Sequence, residues 1–203
     1  MVMVQEIQKD DFVISEIIGG ARVLFEKYGL KKTTMEDIAR EVGKSKSSLY
    51  YYFPSKFEIF ESVIEQETCE FFIHAEESIN KASAAVEKLK AYSRARFYNI
   101  KKLANLSQVA RNNLLDNQNL VMKLKKKFEL RQIAIIKKII SEGIFTGEFK
   151  NMDMEAIDLM SYVFLGIFRG EANPLSAEIN CPDLAERVDR ILDLLVTGIG
   201  RQV

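Results

Sequence analysis

Between Lys44 and Lys56 the chain carries Lys46, Ser47, Ser48, Tyr50, Tyr51 and Tyr52, and no acidic residue. Hydroxyls and an ammonium on one short surface, with no carboxylate to repel a polyanion, suit contact with a phosphate backbone and with base edges. Other chemistries lack their parts. His74 is the only histidine, which removes histidine-pair metal motifs. Cys69 and Cys181 are too far apart for a C-x-x-C pair, and no G-x-S-x-G or glycine-rich phosphate loop occurs. No catalytic residue, metal or cofactor is expected, and His74 reads as a satisfied or solvated side chain on a long helix.

Two short helices must position that surface. Thr34 is a good N-cap with an acid, Asp37, three residues on, and Ile38, Ala39 and Val42 give the helix it starts one apolar face. Gly43 ends this helix, because glycine adopts left-handed geometry without steric cost. A second helix starts near Ser45 or Lys46 and ends at Phe53-Pro54, since the residue before a proline disfavours helix. Leu49 and Phe53, four apart, must face inward. Two helices joined by a glycine turn form a helix-turn-helix, whose second helix reads DNA.

The run Gly43-Lys44-Ser45-Lys46-Ser47-Ser48-Leu49-Tyr50-Tyr51-Tyr52-Phe53-Pro54-Ser55-Lys56, with Thr33-Thr34 and Ile38-Ala39 before it, resembles the DNA-binding domain of TetR-family repressors. The match extends upstream to Ala21, Leu24-Phe25 and Gly29 and covers about a quarter of the chain. The resemblance implies that Lys46, Ser47 and Ser48 meet base edges, and that Thr34, Tyr50, Tyr51, Tyr52 and Lys56 hold phosphates. Lys44 stands where the family usually has an apolar residue; a phosphate contact is expected of it. Gly19-Gly20 interrupt the first helix where the family usually has at least one alanine. Either another backbone approaches closely there, or that helix is soft.

The rest of the chain reads as helix after helix. With 203 residues, 47% of them apolar, three prolines and no tryptophan, it can build a sizeable all-α core. Residues 1–10 read as a frayed lead-in, followed by helices over about 11–28, 55–80, 82–104, 120–145, 154–170 and 183–199. Asn112-Asn113 and Asp116 to Asn119 punctuate the stretch 106–119 between the third and fourth of these, because such side chains compete for the backbone. Residues 171–182 read as a turn-rich loop. The run from Ile140 to Phe149 also resembles a turn of family C-terminal domains. Two domains are expected: 1–54, a three-helix DNA-binding domain with the helix-turn-helix, and 55–203, a helical ligand-binding and dimerisation domain. No signal-peptide pattern and no long apolar run appear, so a soluble, cytoplasmic protein away from membranes is expected.

Net charge is zero overall but unevenly placed. Residues 1–56 carry +1, residues 57–80 carry −7, residues 81–138 carry +12 and residues 139–203 carry −6. The DNA-reading region is therefore scarcely basic, and modest affinity for random duplex is expected. The basic region includes Arg94, Arg96 and Arg131 among Tyr92, Phe97 and Phe128. These six are the candidate ligand-binding residues: aromatic walls offer apolar area, and a guanidinium clasps a carboxylate or phosphate. An amphipathic anion, such as a fatty acid or acyl thioester, is the effector this composition suits. The last two helices are the most apolar, and the family dimerises through this pair as a four-helix bundle. Tyr162, Val163, Leu165, Ile191, Leu192 and Leu195 are the candidate interface. The expected function is a ligand-responsive regulator, a repressor by resemblance, whose homodimer binds a palindromic double-stranded operator. The alternative is a TetR-fold DNA-binding protein that acts through a protein partner.

Overall fold

In the computed structural model, helix α1 runs from Val2 to Lys32, so residues 2–10 are helical rather than a frayed lead-in. No glycine or proline lies between Val2 and Ile18, so nothing stops the helix from propagating back toward the start. The structure describes residues 2–100, 105, 118–170 and 184–199. Among the described residues seven further helices follow: α2 (Met35–Glu41), α3 (Lys46–Tyr52), α4 (Lys56–Asn80), α5 (Ala85–Ile100), α6 (Gln118–Thr146), α7 (Met154–Gly170) and α8 (Leu184–Ile199). The fold is all-α. Apart from the start of α1, the expected boundaries hold to within a few residues; of the punctuated stretch 106–119, Gln118 and Asn119 belong to α6, and its other residues and the loop 171–182 lie outside the described residues.

The chain divides into two compact units: Met1–Cys69 with Ala104–Leu124, and Glu70–Leu103 with Lys125–Val203. In the first, α1, α2, α3 and the start of α4 close around Ile17, Ala21, Phe25, Ile38, Leu49, Ile59, Phe60 and Val63, all fully buried. The Phe25 and Phe60 rings meet edge-on at 5.2 Å between centroids. Gly29 breaks the helical geometry near the end of α1 with φ of 78°, a conformation open to glycine and strained for other residues. A Cβ on Gly20 would lie 2.4 Å from Cγ1 of Val42, whereas one on Gly19 would meet nothing within 4 Å. No backbone approaches the glycine pair, contrary to expectation; what comes close is the Val42 side chain, and it does so at Gly20 alone.

Glu67, on α4 and 1% exposed, is a buried carboxylate in this unit. Arg22 Nε of α1 lies 3.3 Å from its Oε1, and Asn105 Nδ2 donates to the same oxygen at 2.9 Å. Asn105 Nδ2 also donates to the Arg22 carbonyl at 3.2 Å. Charge and hydrogen bonds together are what allow a carboxylate to be buried at all.

The second unit packs Phe71, Phe72, Tyr92, Ile136, Ile140, Phe149, Phe164 and Leu192. Gly143 is small for a reason, since a Cβ there would lie 2.3 Å from the Phe149 ring and 2.8 Å from Ala85. Glu148 caps α5, accepting from the Ala85 amide at 2.8 and 3.1 Å. Helix α8 is pinned to α5 by Arg94–Asp189 at 2.5 Å and Lys90–Asp193 at 2.6 Å.

Candidate nucleic-acid interface

Both ends of α2 are specified locally. Thr34 Oγ1 accepts from the Asp37 amide at 3.2 Å, while the Asp37 carboxylate accepts from the Thr34 amide at 3.0 Å, a reciprocal capping box. The Thr34 hydroxyl also donates to the Asp37 carboxylate at 2.6 Å, and this bond, with the one from the Thr34 amide, holds the Asp37 carboxyl below its ordinary pKa. Val42 is the C-cap and Gly43, at φ 64°, turns the chain. Ser45 then caps α3, its hydroxyl accepting from the Ser48 amide at 3.1 Å. Leu49 and Phe53 are buried, as their spacing requires, and this fixes which face of α3 is left outside.

That outer face holds Lys46, Ser47, Tyr50 and Tyr51; Tyr51 is 78% exposed and Tyr50 46%. Tyr52 is half-buried, and its hydroxyl donates to Asp10 Oδ1 at 3.0 Å, tying α3 to α1. Thr34 is exposed but its hydroxyl is engaged within α2, and Ser48 is half-buried.

The three lysines of the stretch are all occupied inside the protein. Lys46 Nζ pairs with Glu36 Oε1 of α2 and lies 5.9 Å from the Tyr50 ring centroid. The hydrogen bond between them raises the Lys46 pKa and lowers that of Glu36. Lys44 Nζ pairs with Glu16 of α1 at 2.9 Å. Lys56 Nζ donates to the carbonyls of Leu30, Lys31 and Thr33 at 2.8, 3.2 and 2.8 Å, so it secures the end of α1. Glu16, Glu36 and Asp10 were not singled out by sequence reasoning. Their relevance arises from the docking of separate helices, and no local pattern marks it.

The candidate ligand residues all lie in the second unit. Arg96 is buried, and its Nε donates to Gln132 Oε1 at 2.9 Å; the Tyr92 hydroxyl donates to the same oxygen at 3.2 Å. Burial pushes the Tyr92 phenol well above its ordinary pKa. Phe128 packs against Phe71 and Phe72 at 5.3 and 5.4 Å, and the Arg131 guanidinium stacks 4.2 Å over the Phe72 ring. Arg94 faces α8 through its pair with Asp189. The Phe97 side chain lies outside the described residues. A surface cleft of about 200 Å³ in this unit is lined by Ser83, Ala85, Lys88, Glu142, Phe145, Thr146 and Glu148, none of them a candidate ligand residue. Gln132 was missed; its place directly before the apolar run Ile133 to Ile136 was its only sequence signal.

Of the candidate interface residues, Tyr162, Val163 and Ile191 are exposed at 55%, 39% and 42%. Leu165 and Leu192 are buried among the helices of their own protomer, so a partner would not meet them first. The Leu195 side chain lies outside the described residues. Cys69 is a free, exposed thiol, and His74 is exposed beside Glu77 at 3.5 Å. Among the described residues no group of potential metal ligands occurs, and no helix is long and apolar enough to cross a membrane.

Comparison with known proteins agrees with this geometry. Residues 17–63 match the family described as bacterial regulatory proteins, tetR family. A transcriptional regulator from Cytophaga hutchinsonii is 30% identical, with a TM-score of 0.70 over 91% of this chain and 97% of that one. The fatty acid metabolism regulator protein of Bacillus subtilis is 27% identical over 187 residues, 91% of this chain and 94% of the relative. The transcriptional regulator FadR from Bacillus subtilis, solved in complex with stearoyl-CoA, is 25% identical with a TM-score of 0.68, covering 91% of this chain and 98% of that one.

Proposed function

The chain belongs to the tetR family of bacterial regulatory proteins, and we propose that it is a repressor whose homodimer binds a palindromic operator and releases it on binding a long-chain acyl effector with an acidic head. The observation that carries the DNA reading is the outer face of α3. Ser47, Tyr50 and Tyr51 are exposed on a helix whose caps and buried Leu49 leave it no other orientation. Two such helices, one per protomer, would enter successive major grooves about 34 Å apart, which requires a palindrome. Tyr162, Val163 and Ile191 supply exposed apolar surface for the dimer on the two most apolar helices. In this arrangement Lys46 and Ser47 read bases while Tyr50 and Tyr51 hold phosphates.

The effector reading is supported by Arg96. It points inward, beside Tyr92 and Gln132, in the unit whose aromatic wall is Phe71, Phe72 and Phe128. A buried guanidinium favours an anionic head, and the rings favour an alkyl chain. Relatives that span nearly the whole chain regulate fatty acid metabolism or hold stearoyl-CoA, which supports the same class. The test is a titration of the operator-bound protein with stearoyl-CoA, stearic acid and a lipophilic cation. Release by the acyl anions alone is expected. Release by the cation alone would overturn the effector class, and an operator complex indifferent to all three would favour action through a protein partner.

A further inference from the structure

Lys46 stands at the N-terminus of α3, where a helix of this motif meets base edges, yet its ammonium is held by a carboxylate from the neighbouring helix. The two side chains are 51% and 52% exposed. Exposed ion pairs add little to folding, so the pair has small structural value and lies on the functional surface. Its neighbours show the same pattern: Glu16 holds Lys44, and three carbonyls hold Lys56. Residues 1–56 carry a net charge of only +1 although the fold presents a DNA-reading face there.

A lysine already paired contributes little to the attraction between a protein and any phosphate chain, because that attraction scales with the cations free to displace counter-ions. If DNA takes Lys46, Glu36 is left facing a polyanion. A phosphate only exchanges one anionic partner of Lys46 for another, so little is gained. The paired O6 and N7 acceptors on the major-groove edge of guanine instead offer two hydrogen bonds at once, a gain that random contacts with phosphate lack.

We propose that Glu36 is a specificity-determining residue of the DNA-binding face: it holds Lys46 back from random phosphates and yields it to a base edge that can displace the carboxylate. This rests on the reading of α3 as the DNA-reading helix. Glu36 touches no operator atom in this role. It acts through Lys46 by lowering affinity for random duplex more than affinity for the operator, and so widens the ratio between them.

The experiment uses the full chain and two labelled duplexes of equal length: a palindrome enriched from a randomised pool by the unaltered protein, and its scrambled counterpart. Binding is followed by anisotropy from 50 to 200 mM salt. With Glu36→Gln, the scrambled duplex should bind about tenfold tighter, and its salt slope should steepen by about 0.9 for each lysine released. Operator affinity should change less than twofold. Glu36→Ala should behave in the same way, and Glu36→Gln with Lys46→Gln should lose the gain. Equal tightening on both duplexes would overturn the proposal, as would a gain that survives in the double variant. A pool that enriches no sequence with the unaltered protein refutes base reading by α3 itself, a failure distinct from an unchanged ratio.

Discussion

Gly20 offers the most direct test of how the helix-turn-helix is held. Alanine in a helix interior is favoured over glycine by about 1 kcal/mol, so an unobstructed replacement stabilises. Gly19 is such a position: its added Cβ meets nothing within 4 Å. At Gly20 the Cβ would lie 2.4 Å from Val42 Cγ1, far inside the roughly 3.5–4.0 Å at which two carbons attract. The obstacle is a β-branched side chain with few rotamers, on the residue that caps α2. Overpacking of this kind costs about 1–3 kcal/mol. Set against the propensity gain, Gly20→Ala should be neutral to destabilising by about 2 kcal/mol, while Gly19→Ala stabilises by about 1 kcal/mol. At about 2–4 °C per kcal/mol for a chain of this size, the two melting temperatures should separate by several degrees. Adding Val42→Ala to Gly20→Ala removes the clash and should recover more stability than Val42→Ala alone would suggest. Thermal unfolding of the four variants decides the matter. A Gly20→Ala protein as stabilised as Gly19→Ala would refute the close approach.

Thr34→Ala removes the α2 cap and should lower the melting temperature by about 2–4 °C at neutral pH. Asp37 is held below its ordinary pKa chiefly by Thr34, so that stabilisation is present above the ordinary value of 3.8 and is lost as pH falls below it. The gap between variant and parent should therefore shrink in acid; a gap constant down to pH 2 contradicts the assignment. Lys56→Met strips three carbonyls of their donor and should lower the melting temperature while leaving the salt slope of DNA binding unchanged; a slope reduced by about one would restore Lys56 to the phosphate contacts. Val163→Asp should give a folded monomer in sedimentation, whereas Leu192→Asp should fail to fold, because the first side chain is 39% exposed and the second fully buried. A dimeric Val163→Asp protein would remove that residue from the interface.

Local chemistry made part of this molecule legible from the chain alone. Thr34 with Asp37, Gly43, Ser45 and Phe53-Pro54 specify starts and stops whose hydrogen bonds close within a few residues, so the helix-turn-helix follows from the sequence. The four-residue spacing of Leu49 and Phe53 likewise decided which face of α3 is exposed. The long helices were readable from their apolar periodicity, and the start of α1 was misjudged only because no cap signal marks it.

Tertiary structure decided where the charges go. The stretch from Lys44 to Lys56 contains no acid, yet Glu36 and Glu16 reach its lysines across helix boundaries, and backbone carbonyls absorb Lys56. The same holds for the arginines at 94, 96 and 131: one pairs with α8, one is buried on Gln132 and one stacks on Phe72. Sequence spacing places a side chain on a face of its own helix. The partner that face meets depends on how helices distant in the chain dock, and ion pairing follows distance in space rather than distance along the chain.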